Sequence, residues 1–413
     1  MKSKCKNVNL RDYRNLIPAI EDVVFRHSSR YDFRSLLFEF GMPHDDYYRF
    51  IRTKEEWLIE PVLETIAKEC VKRIILRDLM LKPIHIRIMA DKSSGKIRPI
   101  GKETAMQQVF DYIAFYAAKE VFERRIVPEQ ASSIKKRGQV YGQKIIAGWV
   151  DKDIACLRFV ENHPEMQYQC KCEYFVICDI TQCYPSADLE AFMSFFRKEV
   201  ANDDIVWLWY TLLKSHQANG YKGFMIGSLI SQWAVQYMMT FAYRYVRDLH
   251  YERRGKKYKC VDHMLIFMDD MLMTSSNRKQ LKSAVRKLRA YLQNELGFRI
   301  KDNWQIHHIK EDPIDMMGYV IYADGHVEIR SRDFIKARRM ALRYKAQGNF
   351  LTMRQCKRIL SYKGFFKYSD SKNARKKYNF DQIFEYAAEK ISVEERRKNG
   401  KPKRKKQRKT KNS

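Results

Sequence analysis

Residues 264–273 read MLIFMDDMLM, two adjacent aspartates inside an otherwise apolar run. Carboxylates are almost never fully buried unless something pairs with them. A fold that accepts this segment must pack the flanks in a core and still bring both acids to water or to a cation. Apolar runs of strand length on either side of a polar turn predict a β-hairpin, MLIF and MLMTS, with Asp269 and Asp270 at its tip. The alternative is an exposed tip, where aspartate is common. It leaves the apolar flanks unexplained.

A second run ends in a similar way. EYFVICDI, residues 173–180, reads as a short buried strand that closes on Asp179. If the two segments are neighbours in one sheet, three carboxylates converge. Uncompensated, such a cluster repels itself and raises its own pKa values. Divalent cations remove the conflict. Hard oxygen ligands suit Mg²⁺, which takes one or two carboxylates and completes its shell with water and phosphate oxygens. Two such ions, about 3.5–4 Å apart, activate an attacking oxygen and stabilise a leaving one. The chemistry predicted is phosphoryl or nucleotidyl transfer.

The charge balance points to a polyanionic partner. Lys and Arg total 79 against 49 Asp and Glu, a formal charge of +30 over 413 residues. The excess runs through folded-looking segments as well as the tail, which argues against a merely basic soluble enzyme. Eleven of the last eighteen residues are Lys or Arg. That tail is expected to be disordered in isolation and drawn to phosphate, or else to act as a solubilising extension. A hydrophobic fraction of 45% excludes a disordered chain and supports two or three subdomains. Nine cysteines and no secretory leader predict reduced thiols and a cytoplasmic location. Cys170, Cys172, Cys178 and Cys183 lack the spacing of a familiar zinc site. Residues 223–243 carry no charge and are long enough to span a bilayer. Ser228, Ser231, Gln232, Gln236 and Thr240 recur through them, so a buried helix and no membrane is the expectation.

Around these segments the pattern alternates. Residues 1–80 read as mixed-charge helices. IHIRIMADKSSGKIRPI (84–100) reads as a hairpin turning at DKSSG, followed by a helix that Pro128 ends. PSADLEAFMSFFRKEV reads as a helix with Pro185 near its first turn, and the uncharged segment, from about 225 to 246, as the next. NRKQLKSAVRKLRAYLQNELG reads as an amphipathic helix ending at Gly297, and MMGYVIYADGHVEIR as a hairpin turning at Asp324–Gly325. Residues 331–393 are helical and basic.

Six ordered motifs together resemble a reverse transcriptase over residues 80–370. FMDDM resembles the family's Y-x-D-D hairpin, with Phe267 in place of tyrosine. CDITQCYPS resembles its first acidic motif, which implies that Asp179 and the carbonyl of Ile180 join Asp269 and Asp270 as metal ligands. Two Mg²⁺ ions are implied, with Mn²⁺ as an alternative. Tyr184, five residues after Asp179, stands where the family places an aromatic that excludes a ribose 2′-hydroxyl. The alternative for that ring is core packing. GKIRPI matches the fingers segment, so Arg98, with Lys96 and Lys92 on the same reading, would grip the incoming triphosphate. SSIKKRGQVYGQKIIAG implies template contact by Lys136 and Arg137. MMGYVIY resembles the hairpin that supports the primer, through Gly318 and Tyr319. Lys301 is a candidate proton donor to pyrophosphate.

The resemblance implies an α+β chain with a right-hand polymerase fold. Residues 1–80 would be a helical extension, 81–170 fingers, 171–330 palm, 331–393 a helical thumb and 394–413 a basic tail. The substrates would be dNTPs and a template or noncoding RNA, and the product cDNA. MIGSLISQW (225–233), with Ile226–Gly227 and then Ser231–Gln232, is similar to reverse transcriptases of diversity-generating retroelements, a lineage like that of group II introns. Ile226, Gly227 and Gln232 would then border the nucleotide. That lineage implies a bacterial or phage gene, error-prone synthesis opposite adenine and a basic accessory protein. A phage-defence or retron-like enzyme with a noncoding RNA is the alternative. An RNA-dependent RNA polymerase fits Tyr184 less well.

Overall fold

A computed structural model of the chain describes residues 4–90, 97–217 and 222–398. Two compact units emerge. The first comprises residues 1–135 and 173–306, and the second residues 136–172 and 307–413. The basic tail beyond 398, and Lys92 and Lys96, lie outside the described residues.

The first unit carries the acidic segments. Its sheet contains β3 (Tyr174–Asp179), β6 (His263–Phe267) and β7 (Asp270–Ser275), with β7 between the other two and all pairings antiparallel. Val176, Cys178, Met264, Leu265, Ile266, Met271, Leu272 and Met273 are all buried. Covering on both faces explains why these strands read as continuous apolar runs rather than alternating ones. The short β8 (Ile306–His308) falls at the boundary between the units.

Helices complete the core of this unit. The helix Ala105–Arg125 begins at Thr104, whose side chain accepts from the Gln107 amide, and buries Val109, Phe110, Ile113, Val121 and Phe122. The uncharged segment forms the helix Leu229–Arg247, capped by Ser228. The Phe122 ring packs against Phe196, Trp209 and Tyr237, and the Trp209 indole donates to the Ala114 carbonyl at 2.8 Å. Among the described residues no helix is long and apolar enough to cross a membrane. The strands β1 (His85–Ala90) and β2 (Ile97–Lys102) pair antiparallel where the alternation placed them, and the expected turn at DKSSG lies outside the described residues.

Three local readings differ from the structure. Pro185 does not start the helix that follows it. It belongs to a separate turn, Cys183–Ser186, and the helix Leu189–Phe196 starts at Asp188, whose carboxylate caps the Ala191 amide. The helix Asp203–Ser215 and the hairpin of β4 (His250–Arg253) and β5 (Lys256–Lys259) have no counterpart in the sequence reading. In the former, Val206, Trp207 and Tyr210 fall between the helically spaced core residues Ile205, Leu208, Trp209, Leu212 and Leu213 and mask their period. The latter is too charged to read as strand.

In the second unit, β9 (Ile314–Met316), β10 (Tyr319–Ile321) and β11 (Val327–Ile329) form an antiparallel meander. The turn after β10 falls at Asp324–Gly325, as its sequence predicts, with Gly325 at φ +85°. The helices Ser331–Ala346, Met353–Leu360 and Phe380–Lys398 surround a separate core of Met340, Leu351, Ile359, Phe366, Phe380 and Phe384.

Candidate active site

The three aspartates meet at one end of the sheet. Asp179, last in β3, is paired with Asp270, first in β7. The Ile180 amide donates to the Asp269 carbonyl at 3.0 Å, which fixes the tip of the β6–β7 hairpin beside β3. Met268 and Asp269 make the two-residue turn. Met268 holds φ +57°, left-handed backbone that a side chain rarely adopts.

That tip is braced from below by a chain of buried polar groups. The Ser132 hydroxyl oxygen accepts from the Met268 amide at 2.8 Å and from the Gln236 side-chain amide at 2.9 Å. Gln130 donates to the Gln236 carbonyl at 2.6 Å and accepts from the Thr240 hydroxyl at 2.8 Å. The Ala131 amide donates to the Ile266 carbonyl, and the Ile266 amide to the Glu129 carbonyl, each at 2.9 Å. Gln130, Ser132, Gln236 and Thr240 were not identifiable as site residues from sequence. For Gln236 and Thr240 the available signal was polar residues in a helix that otherwise looks membranous; Gln130 and Ser132 lie outside that helix and carried none.

Asp179 has an unequal environment. Its Oδ2 is ion-paired to Lys301 Nζ, and the Lys301 amide donates to the Asp179 carbonyl at 2.9 Å. Its Oδ1 is buried and has no hydrogen-bond partner. Among the described residues no group of three or more His, Cys, Asp and Glu side chains is arranged to hold a metal ion. The donor chemistry nevertheless fits one. The orphaned Asp179 oxygen, the Asp270 carboxylate in register with it, Asp269 at the adjacent turn and the neighbouring Ile180 carbonyl are hard oxygen donors, the kind a divalent cation takes. All nine cysteines are free thiols, and none belongs to such a group.

Cys183 and Tyr184 lie close enough to feel the acids. Burial raises the Cys183 thiol first, and the charges of Asp269 and Asp179 raise it further. The Tyr184 phenol is also raised, by burial and then by Cys183 and Asp269. The Tyr184 carbonyl accepts from the Phe224 amide at 2.8 Å. A Cβ on Gly223 would stand 2.2 Å from the Pro185 carbonyl oxygen, so only glycine fits this crossing.

Ile226 and Gly227 lie against the β1–β2 hairpin. The Gly101 amide donates to the Ile226 carbonyl at 2.9 Å, and Gly227, at φ +108°, passes close to the Gly101 carbonyl. Gly227 and Gln232 line a cavity of about 520 Å³ with Arg30, Arg87, Lys102 and Asp111. Asp111 is fully buried and accepts from the Ser228 hydroxyl at 2.9 Å, while its Oδ1 has no partner. Burial, and then the Glu103 carboxylate, holds its carboxyl well above the usual range. Glu103 in turn contacts His216 at 3.2 Å, and His216 lies 3.3 Å from the Ser231 hydroxyl. Arg98 is exposed on β2.

The remaining candidates lie in the second unit. Lys136 is exposed with φ +67°, and the Arg137 guanidinium sits over the Tyr141 ring. Gly138 precedes the helix Gln139–Glu161. Gly318, at φ +87°, makes the β9–β10 turn, and a Cβ there would meet the Phe365 ring at 2.6 Å. Tyr319 is fully buried, with its phenol pushed up to about 12 by burial.

No curated protein matches the chain. Two solved structures of apo telomerase from Candida tropicalis are similar to it at TM-score 0.39. One, truncated from its C-terminal domain, is 13% identical, with 60% of this chain covering 54% of that one. The other is 12% identical, with 93% covering 77%. The chain therefore spans about half the length of the truncated telomerase chain. The family model for reverse transcriptase (RNA-dependent DNA polymerase) matches residues 90–321, a stretch that contains all three aspartates, the Tyr184 turn and the Ile226–Gly227 crossing. That stretch is more than half of the 413 residues, and the chain belongs to the reverse transcriptase family.

Proposed function

We propose that this chain copies a dedicated RNA into cDNA by nucleotidyl transfer at Asp179, Asp269 and Asp270. The observation that carries the reading is the pairing of Asp179 with Asp270 while Asp269 is tied to Ile180. Asp179, Asp269, Asp270 and the Ile180 carbonyl would hold divalent metal, Mg²⁺ in this reading, with Mn²⁺ as a substitute. Bound there, the metal supplies neutralisation of phosphate charge and activation of the primer hydroxyl. The chain's own groups do the rest. Lys301 neutralises Asp179, Arg98 and Lys96 bind the triphosphate, and the Tyr184 ring fills the space a 2′-hydroxyl needs. Lys136 and Arg137 hold template phosphates. Gly318 would support the primer through its backbone, because the Tyr319 side chain is buried. Residues 81–170, 171–330 and 331–393 would serve as fingers, palm and thumb.

Primer extension on RNA with dNTPs or rNTPs tests this. The double substitution Asp269→Ala and Asp270→Ala should abolish extension and leave the fold intact, and wild type should prefer dNTPs. Full activity in the double variant would refute the reading.

The finer reading, an error-prone enzyme of a diversity-generating retroelement with a basic accessory protein, rests on MIGSLISQW. Glutamine at 226 can hydrogen-bond an incoming nucleotide and isoleucine cannot. One missing polar restraint of about 1 kcal/mol relaxes selection about fivefold. Ile226→Gln should therefore lower misincorporation opposite template adenine by about that factor. No gain in accuracy would sink the idea.

A further inference from the structure

The β4–β5 hairpin takes no part in the site described above. Residues 251–259 read YERRGKKYK, and every residue from Glu252 to Lys259 is exposed. Five of the seven residues from Arg253 to Lys259 are cations, and Glu252 is the only acid on the hairpin. The register sharpens the imbalance. Arg253 stands opposite Lys256, and Lys257 alone faces an acid, Glu252. Like charges directly opposite each other destabilise a pair of strands, and a two-stranded hairpin without a buried face has little to offset this. None of the five cations makes an ion pair among the described residues. Arg254 also occupies a left-handed turn position at φ +51°, beside Gly255 at +69°, where asparagine or aspartate would be the usual choice.

The hairpin is held at its root. Tyr251 packs against the core, the Tyr251 and Tyr258 rings stack at 5.5 Å, and the Cys260 amide donates to the Leu249 carbonyl at 2.9 Å. The outer ring, Tyr258, is 42% exposed. The result is an anchored ribbon of unpaired cations with one open aromatic face. Cations spaced along a ribbon neutralise successive phosphates and release their counterions, and an exposed ring accepts an unpaired base.

We propose that the β4–β5 hairpin is a docking surface for the phosphate backbone of RNA, with Tyr258 as a stacking platform for an unpaired base. The choice of a nucleic acid over an acidic protein rests on the reverse-transcriptase reading. The hairpin contributes nothing to the carboxylate site, so binding and chemistry are separable.

The test uses the full chain and a variant with Arg253, Arg254, Lys256, Lys257 and Lys259 all changed to Gln. Removing like charges should leave the melting temperature unchanged or slightly higher. Binding of a short labelled stem-loop RNA, followed across a KCl series, should weaken by more than about a hundredfold near 0.1 M KCl. Its salt slope should fall by about 3.5 to 4.5, since each of the five phosphates no longer neutralised takes away about 0.7–0.9. Tyr258→Ala should weaken single-stranded RNA binding with little change in slope. Extension of a pre-annealed primer at saturating substrate should be unchanged. Unaltered RNA affinity and slope in the five-site variant would overturn the proposal. So would displacement of the RNA by polyglutamate as readily as by unlabelled RNA. DNA competing as well as RNA would reassign the surface to nucleic-acid backbone in general. If wild type extends no primer on any template, the polymerase reading fails on its own, while the binding comparison still decides the hairpin.

Discussion

At the scale of single residues, the chain handles its buried acids in two different ways. Asp179 is ion-paired through one oxygen to the Lys301 ammonium, and its other oxygen is buried without a hydrogen-bond partner. Asp111 has no cation. It lies fully buried near Glu103, and burial followed by that second carboxylate raises its pKa well above the ordinary value. A raised folded-state pKa favours the protonated form. Its contribution to stability is fully present below the unfolded pKa, near 4, and is lost as pH rises through the folded value. Asp111→Asn keeps an acceptor for the Ser228 hydroxyl and removes the titrating proton. The variant should be more thermostable than wild type near pH 8, with the difference closing toward pH 5. Thermal melts across that range check the sign. A variant that is less stable at pH 8 would show that the carboxylate itself, and not its burial, is what the site requires. Asp179 and the aspartate pair were legible in the sequence because acid inside an apolar run is a conflict visible without a structure. Asp111 was not. One aspartate in TAMQQVFDYIAFYAAKE looks like any polar helix position until the packing closes over it.

At the scale of elements, the acidic hairpin depends on what lies beneath it. Its strands were legible, since an apolar run of strand length on each side of a turn leaves few alternatives. Its support was not, because Ser132 and Gln236 are more than a hundred residues apart and meet only through tertiary packing. The Ser132 hydroxyl oxygen takes the Met268 amide and the Gln236 side chain together, and the backbone at Met268 is left-handed. Ser132→Ala removes both bonds and leaves two donors unpaired, at a cost of about 1–3 kcal/mol. The loss falls on the turn that presents Asp269, so geometry should suffer more than global stability. The extension rate should drop about tenfold, while affinity for primed RNA stays near wild type. If affinity fell as much as rate, the brace would be supporting the nucleic-acid surface and not the carboxylates.

At the scale of the whole molecule, the family resemblance implies consecutive fingers, palm and thumb segments, and the compact units are each discontinuous in sequence. The second unit is assembled from two stretches, residues 136–172 and 307–413, and no local signal in either announces that they belong together. Periodicity identifies a helix and its apolar face. It does not say which distant segment covers that face. The two hydrophobic clusters are distinct, one built on Phe122, Trp209 and Tyr237, the other on Phe366, Phe380 and Phe384. Phe366 is almost completely buried and touches Phe334, Phe380 and Phe384. Phe366→Ala should cost about 3–5 kcal/mol, the usual penalty for emptying an aromatic site in a core. Calorimetry on the full chain then reports whether the cores are thermodynamically separate. Separate cores give two transitions, of which the substitution lowers one and leaves the other in place. A single transition that moves as a whole would mean that the units unfold together, and that division by compactness describes geometry without describing cooperativity.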